Sequence, residues 1–404
     1  MTYSKKIYNY FILFFLIYTP EVFRYFGYNI PTQIVIFLIG VFCLVNTLLR
    51  RSGEIKVNKK LLFFYLGIIV SVLYVTLISL ITGNPSRFLQ NTYVLVQLST
   101  IIFFLSRMKK MGLDVFRVLF QLASVQGVFC IIMVIFPSLK KIALGLYYLG
   151  KPENIFISTM RIYGISGDYT FFTPIYHGLL ISLIVFLYLF EKKNYLIYLP
   201  IISIAIVLNG RTGLIIAGIN ISLLIIIYAV VNFKEIYKSI SIIIGVLLFA
   251  AIVTAMLKNM VPQTYNWIVQ SFRDAENLIN GQKTGNFGVL ADMFVLPTGK
   301  EFYFGSGYRL YGNSSVSIRS DIGYVNDMFM GGLIYCIFLY LTELKYLITS
   351  FRMKTLSVEN VALSTILLVT FIISNYKGEA ARGGLILIGL VVTRYFIDDL
   401  GRAE

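Results

Sequence analysis

The sequence predicts an all-α fold, a polytopic helical membrane protein with about 12 transmembrane helices, each of the roughly 20 residues that one crossing needs. Three observations predict it. Of its 404 residues 58% are hydrophobic and 13% charged, where a soluble domain carries about 25% charged residues. The apolar residues run in long uninterrupted stretches rather than alternating with polar ones. Lys and Arg gather in short clusters at the ends of those stretches, in the manner of topology signals. Hydrocarbon offers backbone groups no outside partner, so each stretch must bond within itself as a helix. The expected organisation is one helical transmembrane domain over 1–404.

Taken in order, the first span, 7–26, follows Lys5 and Lys6. No small-residue cleavage pattern follows its apolar run Ile7 to Tyr18, because Pro20, Glu21 and Arg24 come next, so it reads as an uncleaved span with the N-terminus inside. Spans at 30–49, 61–82, 89–106 and 115–136 are separated by short polar connections, two of them strongly basic. A smaller loop over 137–170 precedes the span 171–190. The next pair, 195–209 and 212–232, is divided only by Gly210 and Arg211. After 239–257 comes a large polar loop, 258–322, between helices 9 and 10. Within it, 261–280 places Ile268, Phe272, Leu278 and Ile279 near helical spacing, the pattern of an amphipathic surface helix. The Gly-, Tyr- and Ser-rich stretch 281–320 reads as irregular loop with one short helix at 289–296. Spans at 323–348, 359–376 and 383–400 complete the chain.

With the N-terminus inside, the basic clusters around Arg50, Lys59, Lys109, Lys192, Lys238 and Lys345 are cytoplasmic, and short outer connections keep only Arg24, Arg87, Arg211, Lys377 and Arg382. Long loops obey the charge rule less strictly, so 137–170 and 258–322 are outer. The net charge of +16 is thereby accounted for by topology, and a nucleic-acid partner is excluded. Cys43, Cys130 and Cys336 lie inside apolar runs, which leaves them as small buried hydrophobes.

Arginine outnumbers lysine on the outer side, whereas lysine outnumbers arginine inside. Guanidinium forks bind phosphate oxygens bidentately, while lysine acts as a point charge. Arg211 stands out, in Leu208-Asn209-Gly210-Arg211-Thr212-Gly213-Leu214 with almost no loop around it. An ionisable residue at such depth is costly and is a functional candidate by default. Arg382 repeats the theme beside Glu379, so ligand binding and local pairing are both open to it. Arg161 and Asp168 lie in the smaller outer loop, and His177, the single histidine, opens the span after it. Asp321 stands where the large loop re-enters the membrane, in Arg319-Ser320-Asp321-Ile322-Gly323-Tyr324. It is either a helix N-cap or a general base whose carboxylate is tuned by partial desolvation. Asp168, His177, Arg309 and Tyr324 are accessory candidates, His177 reading equally as a buried, hydrogen-bonded histidine. No Asp-x-Asp or ligand spacing for a metal occurs on the outer side, so no metal and no cofactor are expected, and arginine would neutralise any leaving diphosphate.

In order and placement these pieces resemble the Wzy-type O-antigen polymerases, within the wider group that includes O-antigen ligases. The resemblance spans the chain and rests on three motifs: Arg161 with Gly164 ahead of a span; Gly210-Arg211-Thr212-Gly213-Leu214; and Phe304-Gly305-Ser306-Gly307 followed by Ser320-Asp321-Ile322-Gly323-Tyr324 and Gly331-Gly332-Leu333. It implies a multi-pass protein of the bacterial inner membrane with its active site facing the periplasm. The reaction implied is transfer of a growing glycan from undecaprenyl diphosphate to a new lipid-linked repeat unit, with a chain-length regulator protein as a partner besides the lipid bilayer. Arg211, with Arg161 near it, would bind the diphosphate, helped by Arg319 and Arg382. Where ligases carry a histidine this chain has Asp321, which favours a polymerase with Asp321 as the base. The rival readings are an O-antigen ligase and a flippase or exporter of the lipid-linked oligosaccharide.

Overall fold

A computed structural model describes residues 3–27, 30–50, 59–84, 88–144, 160–167, 171–282, 285–310, 319–348, 357–382 and 384–400. Among the described residues every regular element is helical. In chain order these are α1 (Tyr3–Tyr18), α2 (Val22–Tyr25), α3 (Thr32–Arg50), α4 (Lys59–Thr82), α5 (Phe88–Lys110), α6 (Val115–Ile135), α7 (Pro137–Leu144), α8 (Phe172–Leu189), α9 (Leu199–Asn209), α10 (Arg211–Val231) and α11 (Ile236–Met260). They continue with α12 (Pro262–Ile279), α13 (Gly285–Asp292), α14 (Lys300–Phe304), α15 (Gly323–Leu347), α16 (Val358–Lys377) and α17 (Gly384–Leu400). By length and composition, 7 of the described helices can cross a membrane: α4, α6, α8, α10, α11, α15 and α16. The chain therefore has the make-up of a multi-pass helical membrane protein.

Each apolar stretch holds a helix, but three differ from an uninterrupted crossing. The span expected at 7–26 stops at Tyr18, where Thr19 turns to φ 40° and Pro20 has no N–H to continue the ladder. Thr32 Oγ1 donates to the Pro20 carbonyl at 2.8 Å instead. The stretch 195–209 holds only a 3-10 turn and the 11-residue α9, which covers about 16 Å, half a hydrocarbon core. The third, α15, is broken at Gly332 (φ 69°, ψ −172°). The rings of Tyr324 and Tyr340 are 5.6 Å apart, although a straight helix would separate those positions by about 24 Å. The arms 323–331 and 333–347 therefore fold back on one another. Positive φ favours glycine here, and a Cβ on Gly332 would also strike the Tyr303 carbonyl. Ser306 N and Gly307 N donate to the carbonyls of Phe329 and Met330 at 2.7 and 3.0 Å, which satisfies the acceptors exposed where the first arm ends.

The outer-loop expectations fare unevenly. The amphipathic helix is present as α12. The short helix falls at Gly285–Asp292 rather than 289–296, and a further turn of helix forms at Lys300–Phe304.

The chain groups into two compact units. The first comprises Met1–Ile55, Ser99–Ile268 and Ser350–Thr370. Its centre is α8, 89% of whose apolar window is enclosed by protein, against 17% for the window of α11. α8 packs on α10 and α9, and α9 packs on α6. The α8–α10 approach is close because both helices present glycine: a Cβ on Gly178 would stand 2.5 Å from the Gly213 carbonyl, and one on Gly213 would strike the Pro174 carbonyl. Gly213 of the Gly-Arg-Thr-Gly-Leu motif is thus a packing residue. Asn220 Nδ2 ties the same region together, donating to Ser182 Oγ at 3.1 Å and Thr370 Oγ1 at 3.0 Å. The second unit comprises Lys56–Leu98, Val269–Thr349 and Phe371–Glu404, with α15 packed on α4, α14 and α17.

Candidate functional site

In the first unit the structure brings together two guanidinium groups on one indole. Helix α9 ends at Asn209, and α10 opens at Arg211 after the single extended residue Gly210, whose N–H still donates to the Ile206 carbonyl at 2.8 Å. This places Arg211 in the first turn of a 21-residue helix. The segment 160–167 crosses the same end of α9, held there by Ile162 N donating to the Leu208 carbonyl at 2.9 Å. Thr264 of α12 donates to the Met160 carbonyl at 2.8 Å. The first turns of α12 then carry Trp267 over both arginines. The Arg161 guanidinium carbon lies 4.7 Å from the centre of the Trp267 ring and that of Arg211 lies 4.3 Å from it. Arg211 Nη1 also donates to the Trp267 carbonyl at 3.0 Å. Each cation–π contact contributes about 0.5–2 kcal/mol. Two positive side chains at the positive end of a helix dipole make this region attractive to an anion.

The residue that holds the Arg161 segment is one that sequence reasoning missed. Gln126 of α6 is 1% exposed. Its Oε1 accepts from Ile165 N at 2.7 Å and its Nε2 donates to the Ile165 carbonyl. Gly164 has φ 65°, and a Cβ there would strike Gln126 Oε1, so the glycine of the first motif is required by this clasp. Ser166 and Thr173 hydroxyls meet at 2.7 Å, and Gly167 N donates to the Tyr18 carbonyl at 2.7 Å. A signal was available in the sequence: a glutamine within an otherwise apolar run is costly unless both amide atoms are paired. Trp267 was likewise visible as the single tryptophan, and it too was passed over.

His177, open to either an accessory role or a buried one, is 1% exposed, and its Nε2 lies 2.9 Å from the Tyr18 hydroxyl. Its ring packs edge-on against Tyr18 and tilted against Tyr176. It is a core histidine with no open face for substrate. Asp168 lies outside the described residues.

In the second unit, Asp321 and Arg319 precede the first arm of α15. Arg319 is exposed and Asp321 half-buried. Asp321 does not cap the helix: α15 has no side-chain cap bond, and the turn is clasped instead by Asn326. Its Nδ2 donates to the Ser320 and Ile322 carbonyls at 2.8 and 2.9 Å, and its Oδ1 accepts from Leu310 N at 3.1 Å. The Asp321 carboxylate is left at the surface of this rigid turn. Tyr324 is turned to the fold, its hydroxyl donating to the Ile372 carbonyl at 3.2 Å.

Arg382 and Arg309 are engaged otherwise than diphosphate binding requires. Arg382 Nε donates to Asp327 Oδ1, and its Nη2 is 2.9 Å from Glu379 Oε1. Arg309 Nε pairs with the same Glu379 oxygen. The Asp327 side chain is fully buried and that of Arg382 is 6% exposed. The Tyr340 hydroxyl donates to Asp327 Oδ2 at 2.6 Å, Asn375 Nδ2 donates to the Tyr340 oxygen at 3.0 Å, and Ala381 N donates to Asn375 Oδ1 at 3.2 Å. Of the two roles open to Arg382, local pairing is the one its geometry carries, because two carboxylates already occupy its fork. Among the described residues no group of three or more His, Cys, Asp or Glu side chains is placed to hold a metal ion. In comparisons with known proteins, no protein-family model, no curated protein and no solved structure matches this chain.

Proposed function

We propose that the chain is a metal-independent glycosyltransferase of the bacterial inner membrane that polymerises a repeat-unit polysaccharide of the O-antigen type. In this reading about 12 apolar segments enter the bilayer, with 195–209 and the folded-back α15 not crossing it as single full-length helices, and the loops 137–170 and 258–322 face the periplasm. The growing glycan leaves its undecaprenyl diphosphate and passes to the non-reducing end of a new lipid-linked unit. The observation that carries the proposal is the gathering of Arg161 and Arg211 on Trp267 at the start of α10. There the two guanidinium groups receive the diphosphate and stabilise the charge it gains as the glycosidic bond breaks. Arg319, exposed beside Asp321, is available to a second phosphate-bearing substrate. Asp321 takes the proton of the acceptor hydroxyl, and a single direct displacement inverts the anomeric carbon. A chain-length regulator is the protein partner in this reading.

Arg211→Ala tests it. In cells lacking the native copy, the variant inserts at wild-type level and long-chain surface glycan falls by about a hundredfold or more, the scale of losing one transition-state charge donor. Undiminished long chains would reject the proposal. Export of the lipid-linked unit is the second reading, and a different observation favours it. Helix α15 is broken at Gly332, and its second arm carries Glu343, fully buried with neither carboxyl oxygen hydrogen-bonded to any described residue. Transporters place their sites at such discontinuous helices. Accumulation of unextended glycan on the inner face of the membrane would favour export, and its accumulation on the outer face favours polymerisation.

A further inference from the structure

We infer that Trp267 is the positioning residue that sets the spacing of Arg161 and Arg211 for the two phosphates of a diphosphate, an inference that rests on the reading above. Three elements meet at this indole: the segment 160–167, the start of α10 and the start of α12. The guanidinium carbons lie 4.7 and 4.3 Å from one ring centre. By the triangle inequality they are no more than about 9 Å from each other, within reach of adjacent phosphates on one ligand. Arginine is long and flexible, and ordering it on a ligand costs side-chain entropy. A side chain already laid on a flat aromatic face has lost much of that freedom before the ligand arrives. The backbone carbonyl of Trp267 fixes Arg211 further, by accepting from Nη1 while the guanidinium carbon lies over the indole ring. The same residue therefore controls both arginines, through its ring and through its main chain, while its own side chain is half-buried. A diphosphate bound to the pair must lie beside the indole, and its charge must alter the surroundings of the ring.

Trp267 is the single tryptophan of the chain, so the tryptophan emission of the full-length protein in detergent, excited where its 29 tyrosines absorb little, reports this position alone. Titration with inorganic pyrophosphate should shift or quench that emission saturably, and sodium chloride at matched ionic strength should not. The response should vanish in Arg211→Ala. In the polymerisation assay Trp267→Leu should lower kcat/KM for the lipid-linked donor about tenfold. Trp267→Phe, which keeps an aromatic face, should recover most of that loss, a pattern that simple loss of packing volume would not give to a ring smaller than indole. The inference is overturned if the emission is indifferent to pyrophosphate and Trp267→Leu keeps wild-type kcat/KM. It is also overturned if Leu and Phe variants are equally impaired. Loss of activity in Arg211→Ala alongside either result would leave the diphosphate reading standing without the role of Trp267; full activity in Arg211→Ala would remove both.

Discussion

Two arginine centres, one in each compact unit, show how differently the same side chain is employed. Arg161 and Arg211 lie against an aromatic ring, half-buried, with a backbone carbonyl as a further partner. Arg382 and Arg309 lie against Asp327 and Glu379, and the Asp327–Arg382 pair is shut away from solvent. An indole face attracts a guanidinium without cancelling its charge, and that is the contact Trp267 offers to both arginines of the first centre. A carboxylate cancels that charge, so the second centre holds its helices together and attracts little from outside. What separates a candidate binding site from an internal strut is the chemistry of the partner, and the count of outer arginines does not contain that information.

The comparison can be broken most decisively in the second unit. Asp327→Ala leaves Arg382 buried without its main counter-charge, and breaking such a pair costs about 3–5 kcal/mol. The expected outcome is a large drop in the thermal midpoint of the detergent-solubilised protein, with much of it recovered in the double variant Asp327→Ala, Arg382→Met. An Asp327→Ala protein of normal stability but no polymerising activity would show that this centre works on substrate after all. A smaller effect is expected from Gln126→Leu in the first unit. It leaves Ile165 N without its acceptor, at a cost of about 1–3 kcal/mol, and loosens the segment that carries Arg161. Activity should fall further than stability does, read by comparing kcat/KM with the thermal midpoint. The smallest effect on stability is expected from Asp321→Ala, within about 0.5 kcal/mol because the side chain makes no hydrogen bond or ion pair with another described residue. Surface glycan from that strain should nevertheless be reduced to single repeats. Long chains from it would assign the proton transfer to another group.

Much of the helical layout was legible in the sequence. Long apolar runs left the backbone no partner but itself, and the periodic Ile268, Phe272 and Ile279 pattern placed α12 correctly. The interruptions were harder to see. Pro20 was visible in the first run, but its apolar flanks outweighed it in the reading of one span. Gly332 looked like any membrane glycine, because its positive φ and the close approach of the Tyr303 and Gly305 backbone arise only in the folded chain. The Gly-Arg-Thr-Gly-Leu motif pointed to Arg211, yet its second glycine proved to serve the close approach of α8 and α10. Gln126, Trp267 and Asp327 carry the two centres; a glutamine in an apolar run and a lone tryptophan were visible, but the role of each comes from partners distant in the chain.

By itself the sequence determined that this is a helical protein built for a bilayer, because composition and run length decide which solvent a chain can tolerate and which backbone bonding that solvent permits. Tertiary structure alone decided which arginines meet an aromatic ring and which meet a carboxylate. That choice depends on contacts between residues dozens of positions apart, such as Arg211 with Trp267 and Arg382 with Asp327, and no local pattern of residues encodes it.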